Sequence, residues 1–296
     1  MELTVKDITK SFGEKEVLKG ISFSAESGKA FGLLGRNGAG KTTTIRIIMD
    51  VIRSDSGEIL FDGKPIDYEK TGLGYLPEER GLYPKKKIID QLVYFGELKG
   101  MDKKDAAAAV DYWLGRLEMT EYRNKKLDTL SKGNQQKIQL ITAVMHDPDI
   151  VILDEPFSGL DPVNAMRLED VVKEEMKKGK TVLFSSHQMN YIEEFCDDIG
   201  ILNDGKMVLQ GNLRTIKHNY ERNKLVIKGS DTGLIKEKLG NACRDMEDGS
   251  VMLVLPSAEN KKEAMEYITS NFNVDEIKVF EPSLNDIFVE YAGDKE

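Results

Sequence analysis

The chain is poor in the residues that build metal sites and covalent cross-links: 2 Cys, 3 His and 1 Trp in 296 residues. Cys196 and Cys243 lie far apart, without metal-ligand spacing. A disulfide framework is therefore excluded, and both are expected as buried thiols in a reducing compartment. No stretch approaches the roughly 18 apolar residues of a membrane-spanning helix. The opening residues Leu3-Thr4-Val5-Lys6-Asp7-Ile8 read as a strand, not as a basic-then-apolar export signal. Basic charge is also short: the net charge is −9 and the pI near 5.2. That balance argues against a nucleic-acid-coating surface, so no nucleic-acid partner is expected. The length suits one large domain or two smaller ones, with enough chain to bury a core.

What is present centres on Gly35-Arg36-Asn37-Gly38-Ala39-Gly40-Lys41-Thr42-Thr43. The preceding Ala30-Phe31-Gly32-Leu33-Leu34 reads as a short buried strand. The following Thr44-Ile45-Arg46-Ile47-Ile48-Met49 has apolar positions at helical spacing. Strand, glycine-rich turn and helix N-terminus together cradle phosphate, because backbone N–H groups and the helix dipole both favour negative charge there. In such a loop Lys41 reaches the β- and γ-phosphates and the Thr42 hydroxyl ligates Mg²⁺. The glycines admit left-handed backbone angles and a close approach of phosphate. A nucleoside triphosphate is the expected ligand.

The first thirty residues read as antiparallel strands. Phe12, at the turn Ser11-Phe12-Gly13, is a candidate to stack on a base, or else an ordinary turn aromatic. Glu58–Gly63 and Leu73–Leu76 are further strands, and Pro77-Glu78-Glu79-Arg80-Gly81-Leu82-Tyr83-Pro84 is a proline- and charge-rich loop. From about 87 to 146 the pattern is helical, an inserted subdomain holding Trp113. Lys85-Lys86-Lys87 at its start reads as a solvated loop. Leu130-Ser131-Lys132-Gly133-Asn134-Gln135-Gln136-Lys137 precedes an apolar helix. Ser131 is its N-cap candidate, and Gly133 permits a close backbone approach. Ile150-Val151-Ile152-Leu153 reads as a buried parallel strand ending in Asp154 and Glu155, where α/β sheets place ligands. One carboxylate suits Mg²⁺ and the next suits the base that activates water. Ser158-Gly159-Leu160-Asp161 is a polar turn before a helix beginning at Pro162. The strand Thr181–Ser186 delivers His187 at its end, either a structural histidine or one placed to reach a γ-phosphate. His146 and His218 have no such setting.

In this order and spacing, Gly35–Thr43, Leu130–Gln136, Ile150–Glu155, Ser158–Asp161 and His187 resemble the ATP-binding subunit of an ABC transporter, over roughly residues 1–217. The resemblance implies an α/β fold: a P-loop ABC ATPase core with an antiparallel β subdomain and an inserted helical subdomain. It implies ATP and Mg²⁺ as cofactors, with Phe12, Gly35, Asn37, Gly38, Gly40, Lys41, Thr42 and Thr43 on the nucleotide. Thr42 and Asp154, with Glu78, would serve the metal. Lys41, Glu155 as general base and His187 as the γ-phosphate contact would be catalytic. A head-to-tail homodimer or heterodimer follows, with Ser131, Gly133 and Gln135 closing over the partner's nucleotide and Asp161 communicating across the pair. A separate transmembrane permease is the implied partner, received by the helices after Pro84. The implied location is cytoplasmic, peripheral on the membrane.

Two segments depart from the family pattern. Glu78 stands where the family usually carries glutamine, which adds negative charge near the γ-phosphate; Arg80 is close by in sequence. The signature reads Ser-Lys-Gly-Asn, with Lys132 expected toward solvent. Residues 218–296 read as a small C-terminal α+β domain without a catalytic constellation, supporting dimerisation or regulation. Its Glu281–Phe288 segment resembles the end of ATPase subunits serving ABC-2-type exporters of sodium or drugs.

Other readings share some of these features. An assembly or translation ATPase without a permease has the same motifs, although the ribosomal type usually holds two such domains. A chromosome ATPase needs long coiled coils between the P-loop and the signature. In a GTPase, Asn124-Lys125-Lys126-Leu127-Asp128 would have to specify guanine, but its aspartate lies one residue too far along.

Overall fold

The computed structural model describes residues 1–79, 81–220, 222–246 and 248–293. Arg80 lies outside them. The chain forms two compact units, Met1–Leu213 together with the chain's end from Phe288, and Arg214–Ile287.

The first unit opens on a hairpin, β1 (Glu2–Phe12) and β2 (Lys15–Glu26), which leads into β3 (Ala30–Gly35) and α1 (Lys41–Ile48). After β4 (Ser56–Phe61), β5 (Lys64–Pro65) and β6 (Leu73–Leu76) come α2 (Ile88–Leu98), α3 (Lys103–Arg116) and α4 (Lys132–Val144). Then follow β7 (Ile150–Asp154), α5 (Pro162–Lys177), β8 (Thr181–Ser185), α6 (Met189–Phe195), β9 (Asp198–Asn203), β10 (Lys206–Asn212) and α7 (Leu213–Asn219). The helical stretch read from sequence over about 87–146 is thus α2 to α4. The helix α7 crosses both the division at Leu213 and the boundary expected at 217.

Two sheets share the core. One is antiparallel in the order β2-β1-β4-β5, the other runs β10-β9-β3-β8-β7-β6. In the second, β9, β3, β8, β7 and β6 are mutually parallel, and only β10 is antiparallel to its neighbour. Strands β3, β7 and β8 are buried at every residue, as a parallel sheet covered on both faces requires. Leu3, Val5 and Ile21 of the hairpin pack with Leu33, Ile45, Ile152 and Leu183 in one cluster. Gly200 inside β9 has a packing reason: a Cβ there would meet Met207 Sδ at 2.8 Å and Phe31 Cζ at 3.0 Å. The register aligns Leu76 with Leu153 and Asp154 with Ser185, and Leu33 with Ser185 in turn. The C-terminal ends of β6, β7, β8 and β3 therefore lie side by side.

The second unit alternates β11 (Lys224–Lys228), α8 (Thr232–Leu239), β12 (Cys243–Asp245), β13 (Val251–Val254), α9 (Lys261–Asn271) and β14 (Glu276–Val279). Its sheet order is β12-β13-β11-β14, all antiparallel. This β-α-β-β-α-β arrangement is a split βαβ, ferredoxin-like unit. Leu225, Ile227, Ile235, Leu253 and Ile268 form its own core. A last helix, α10 (Leu284–Ala292), crosses the second division of the chain.

Candidate functional site

The loop after β3 turns through two left-handed glycines, Gly38 (φ 84) and Gly40 (φ 116). They serve different needs. A Cβ on Gly38 would meet nothing within 4 Å, whereas one on Gly40 would strike Leu18 Cδ2 at 2.5 Å. Gly35 is likewise held by packing, its virtual Cβ lying 2.6 Å from the Leu202 carbonyl. Gly40 precedes α1 without a side-chain cap, which leaves the first N–H groups of the helix facing the loop. Lys41 is buried, and its Nζ donates to the carbonyls of Gly35 (2.5 Å) and Arg36 (3.4 Å). Burial lowers its pKa, and the charges of Glu155, Asp154 and Glu78 oppose that shift. Thr42 is exposed at the first turn of α1, next to half-buried Thr43.

On the next strands Asp154 and Glu155 are 4 % and 5 % exposed. Burial raises the Asp154 pKa, with the neighbouring charges of Glu78 and Glu155 adding to it. The Tyr75 phenol is pushed up to about 12, first by burial and then by the Asp154 charge. An acidic pocket of this kind at the edge of a phosphate loop favours a bound cation, and Thr42 and Asp154 offer it hard oxygen donors. The residues fit Mg²⁺.

Glu155 adopts a left-handed backbone (φ 48), rare for a non-glycine residue and typical of functional sites. Contacts hold it there. Its own N–H donates to the Ser185 carbonyl at 2.8 Å. Oε2 accepts from Ser186 Oγ at 2.9 Å, and Oε1 meets the His187 N–H at 2.8 Å and Nδ1 at 2.7 Å. A carboxylate offers about four lone-pair sites, so three fixed partners leave one for a water. With the proton on Nδ1, His187 keeps its acceptor character on Nε2. Glu78 is exposed two residues beyond β6.

The structure thus brings Lys41, Asp154, Glu155, His187 and Glu78 together at adjoining strand ends. Phe12 stands apart at the end of β1, 52 % exposed, with the Lys10 ammonium 5.5 Å from its ring centroid. Ser131 caps α4, its Oγ accepting the Asn134 N–H at 3.3 Å. Among the described residues it shares no hydrogen bond with the phosphate loop. Lys132 is exposed, and Gly133 is buried, a Cβ there meeting Asn164 Nδ2 at 2.9 Å. Its close approach is thus to α5. Gln135 directs its amide to the Leu127 and Leu130 carbonyls. Asp161 caps α5, accepting from the Asn164 backbone at 3.0 Å and side chain at 2.5 Å. Sequence reasoning missed Ser186, Tyr75, Gln136 and Gln139, whose partners lie 20 to 62 residues away or on neighbouring strands.

A parallel sheet with a glycine-rich loop, a buried lysine and paired acids at its C-terminal edge defines a P-loop nucleotide-binding protein. The family described as ABC transporter matches residues 18–158, and that described as ATP-binding protein DrrA1-3-like, C-terminal domain, matches residues 211–292. The chain is 42 % identical over 300 residues to the uncharacterized ABC transporter ATP-binding protein YhaQ of Bacillus subtilis, covering 98 % of each. It is 38 % identical to the linearmycin resistance ATP-binding protein LnrL of Bacillus subtilis, over 71 % of this chain and 68 % of that one. The Nod factor export ATP-binding protein I of Burkholderia lata is 30 % identical over 82 % of this chain and 81 % of its own. A solved ATP-binding subunit of an ABC transporter superposes with a TM-score of 0.68 at 27 % identity, covering 74 % of this chain and 93 % of the other. The chain belongs to the ABC transporter ATP-binding proteins. It is an ATPase subunit that powers a transporter, and its closing segment fits the ABC-2-type exporter branch. Among the described residues no helix is long and apolar enough to cross a membrane.

Proposed function

We propose that two copies of this chain, or this chain and a close relative, pair head to tail around two ATP molecules and drive a separate membrane permease in the export direction. The main support is the carboxylate of Glu155, fixed by Ser186 and His187 with one lone pair to spare, beside Lys41 and the phosphate loop. In this reading Lys41 and the N–H groups of Gly38 and Gly40 bind the β- and γ-phosphates, while Asn37, Gly35 and Thr43 shape the loop. Phe12 stacks on the adenine. Thr42 and Asp154 would hold Mg²⁺, with Glu78 near it, and the bound ion would supply positive charge beside the phosphates. Glu155 takes the proton of the attacking water, and His187 contacts the γ-phosphate.

Ser131, Gly133 and Gln135 belong to the partner's site. The start of α4 presents a capped helix N-terminus, a positive potential that stabilises the transferring phosphoryl group in trans. Asp161 stands at the pair's interface. The permease is received by the helices after Pro84, a helix-in-groove contact for which the cleft lined by Tyr83, Lys86, Gln91 and Tyr94 is a candidate. Its subunit then sits peripherally on the cytoplasmic face. The names of the Nod factor export and linearmycin resistance proteins support an efflux direction.

Co-purification with the membrane protein encoded beside it, followed by vesicle transport, tests the assignment. Outward movement that depends on ATP and on Glu155 is expected. An ATPase that binds no permease, with turnover indifferent to membranes, points instead to a permease-free ATPase.

A further inference from the structure

Three glutamine amides of α4 hold three separate loops. Gln135 Nε2 donates to the carbonyls of Leu127 (3.2 Å) and Leu130 (2.9 Å), on the approach to the helix. Gln136 Nε2 donates to the Pro156 carbonyl at 3.2 Å, next to Glu155. Gln139 Nε2 donates to the carbonyls of Pro77 and Glu79, each at 3.0 Å, on either side of Glu78. Gln136 and Gln139 are 8 % and 2 % exposed. A buried amide without partners is costly, so apolar side chains would suit the inside of this helix better unless the bonds had a role. Pro77 and Pro156 have no N–H of their own, so their carbonyls are the backbone groups through which these loops are held. From Ser131 to Gln139 the helix rises about 12 Å as one rigid element. A displacement of its N-terminus is therefore transmitted to both acid-bearing loops.

We propose that Gln139, assisted by Gln136, is a positioning residue that couples the two nucleotide sites of the pair. Resting on the paired-subunit reading above, the coupling runs through a single chain. The N-terminus of α4, with Ser131 and Gly133, receives the nucleotide held by the partner. The glutamines further along the same helix hold the loops of Glu78 and Glu155, which act on this chain's own nucleotide. Closure on one ATP thus sets the loops of Glu78 and Glu155 at the other. Neutral amide–carbonyl bonds suit this role, because they link the loops without adding charge beside an already acidic pocket.

The test is the dependence of turnover on ATP concentration for the wild type and for Gln139→Met, which keeps side-chain length and loses the donor. The wild type is expected to show a Hill coefficient approaching about 2, the ceiling for two coupled sites. The variant should fall toward about 1, with the nucleotide affinity of the isolated subunit changed less than about twofold. Wild-type cooperativity in Gln139→Met overturns the inference, as does a loss no greater than that in thermal stability and nucleotide affinity. Should Gln139→Met fail to fold, Gln136→Met provides the same comparison on the Glu155 side. The ATP-dependent association of Glu155→Gln separates the two claims. If that variant stays monomeric and the wild type is non-cooperative, the paired reading falls and the coupling with it. If it pairs while Gln139→Met remains cooperative, only the coupling is wrong.

Discussion

Of the buried polar and charged residues described, twelve lie within residues 1–213 and one, Ser250, within 214–287. The first unit buries Lys41, Asp154 and Glu155 beside one another, and Gln136 and Gln139 along a single helix. Glu155, Gln136 and Gln139 are each satisfied by a partner from another strand or loop. The second unit has an apolar core of Leu225, Ile227, Ile235, Leu253 and Ile268, with its charges paired at the surface, as in Lys228–Asp248 at 2.7 Å. Burying polarity is costly unless it is paired, and it concentrates where chemistry needs fixed dipoles. The contrast separates a unit built to act on a ligand from one built to fold.

The comparison predicts opposite phenotypes. Glu155→Gln should retain ATP binding and lose turnover by at least about 100-fold, the usual weight of a general base; steady-state phosphate release and nucleotide titration check both halves. In the second unit, Ile227→Ala should cost about 3 kcal/mol of that unit's stability while leaving nucleotide affinity unchanged. A drop in affinity would mean that the ligand site is not confined to the first unit. A smaller effect is expected for Glu78→Gln, with turnover within about threefold of wild type, because the exposed side chain is not locked by the contacts that hold Glu155. Loss of activity there would make the carboxylate a specific requirement.

The smallest effect concerns His146, half-buried in the first unit, with Nε2 3.1 Å from the Leu73 carbonyl and a buried Nδ1 without a partner. Burial lowers its pKa from the ordinary value of 6.5. A depressed histidine contributes stability that is complete above the unfolded value and is lost as pH falls below it toward the folded pKa. Between about pH 7.5 and about pH 5.5 the melting temperature should decline by about 2 °C more in the wild type than in His146→Gln. Parallel curves would remove His146 as a source of the dependence.

The part of the site legible in the sequence was the part written locally. A glycine loop, a strand ending in two acids and a capped helix each announce themselves within ten residues. The parallel arrangement that lines up Glu78, Glu155, His187 and Lys41 arises from register between strands far apart in the chain. The bonds of Gln139 to Pro77 and of Ser186 to Glu155 arise the same way, and no local pattern encodes them. Strands β9 and β10 were also silent, because Gly200 interrupts the first and the second alternates at an edge. Gly133 illustrates a partial reading: the glycine does admit a close approach, and the neighbour inside this chain is Asn164. The helix α7 shows why the boundary expected at 217 blurred, since one continuous helix runs through it.

The central claim is that the phosphate loop is half a site, completed by Ser131 of another subunit. Light scattering of Glu155→Gln with saturating ATP, alone and combined with Ser131→Arg, tests it most directly. The account predicts an ATP-dependent dimer for Glu155→Gln, and a monomer that still binds ATP once Ser131→Arg is added. Equal dimerisation with and without Ser131→Arg, or no dimer in either, would contradict it.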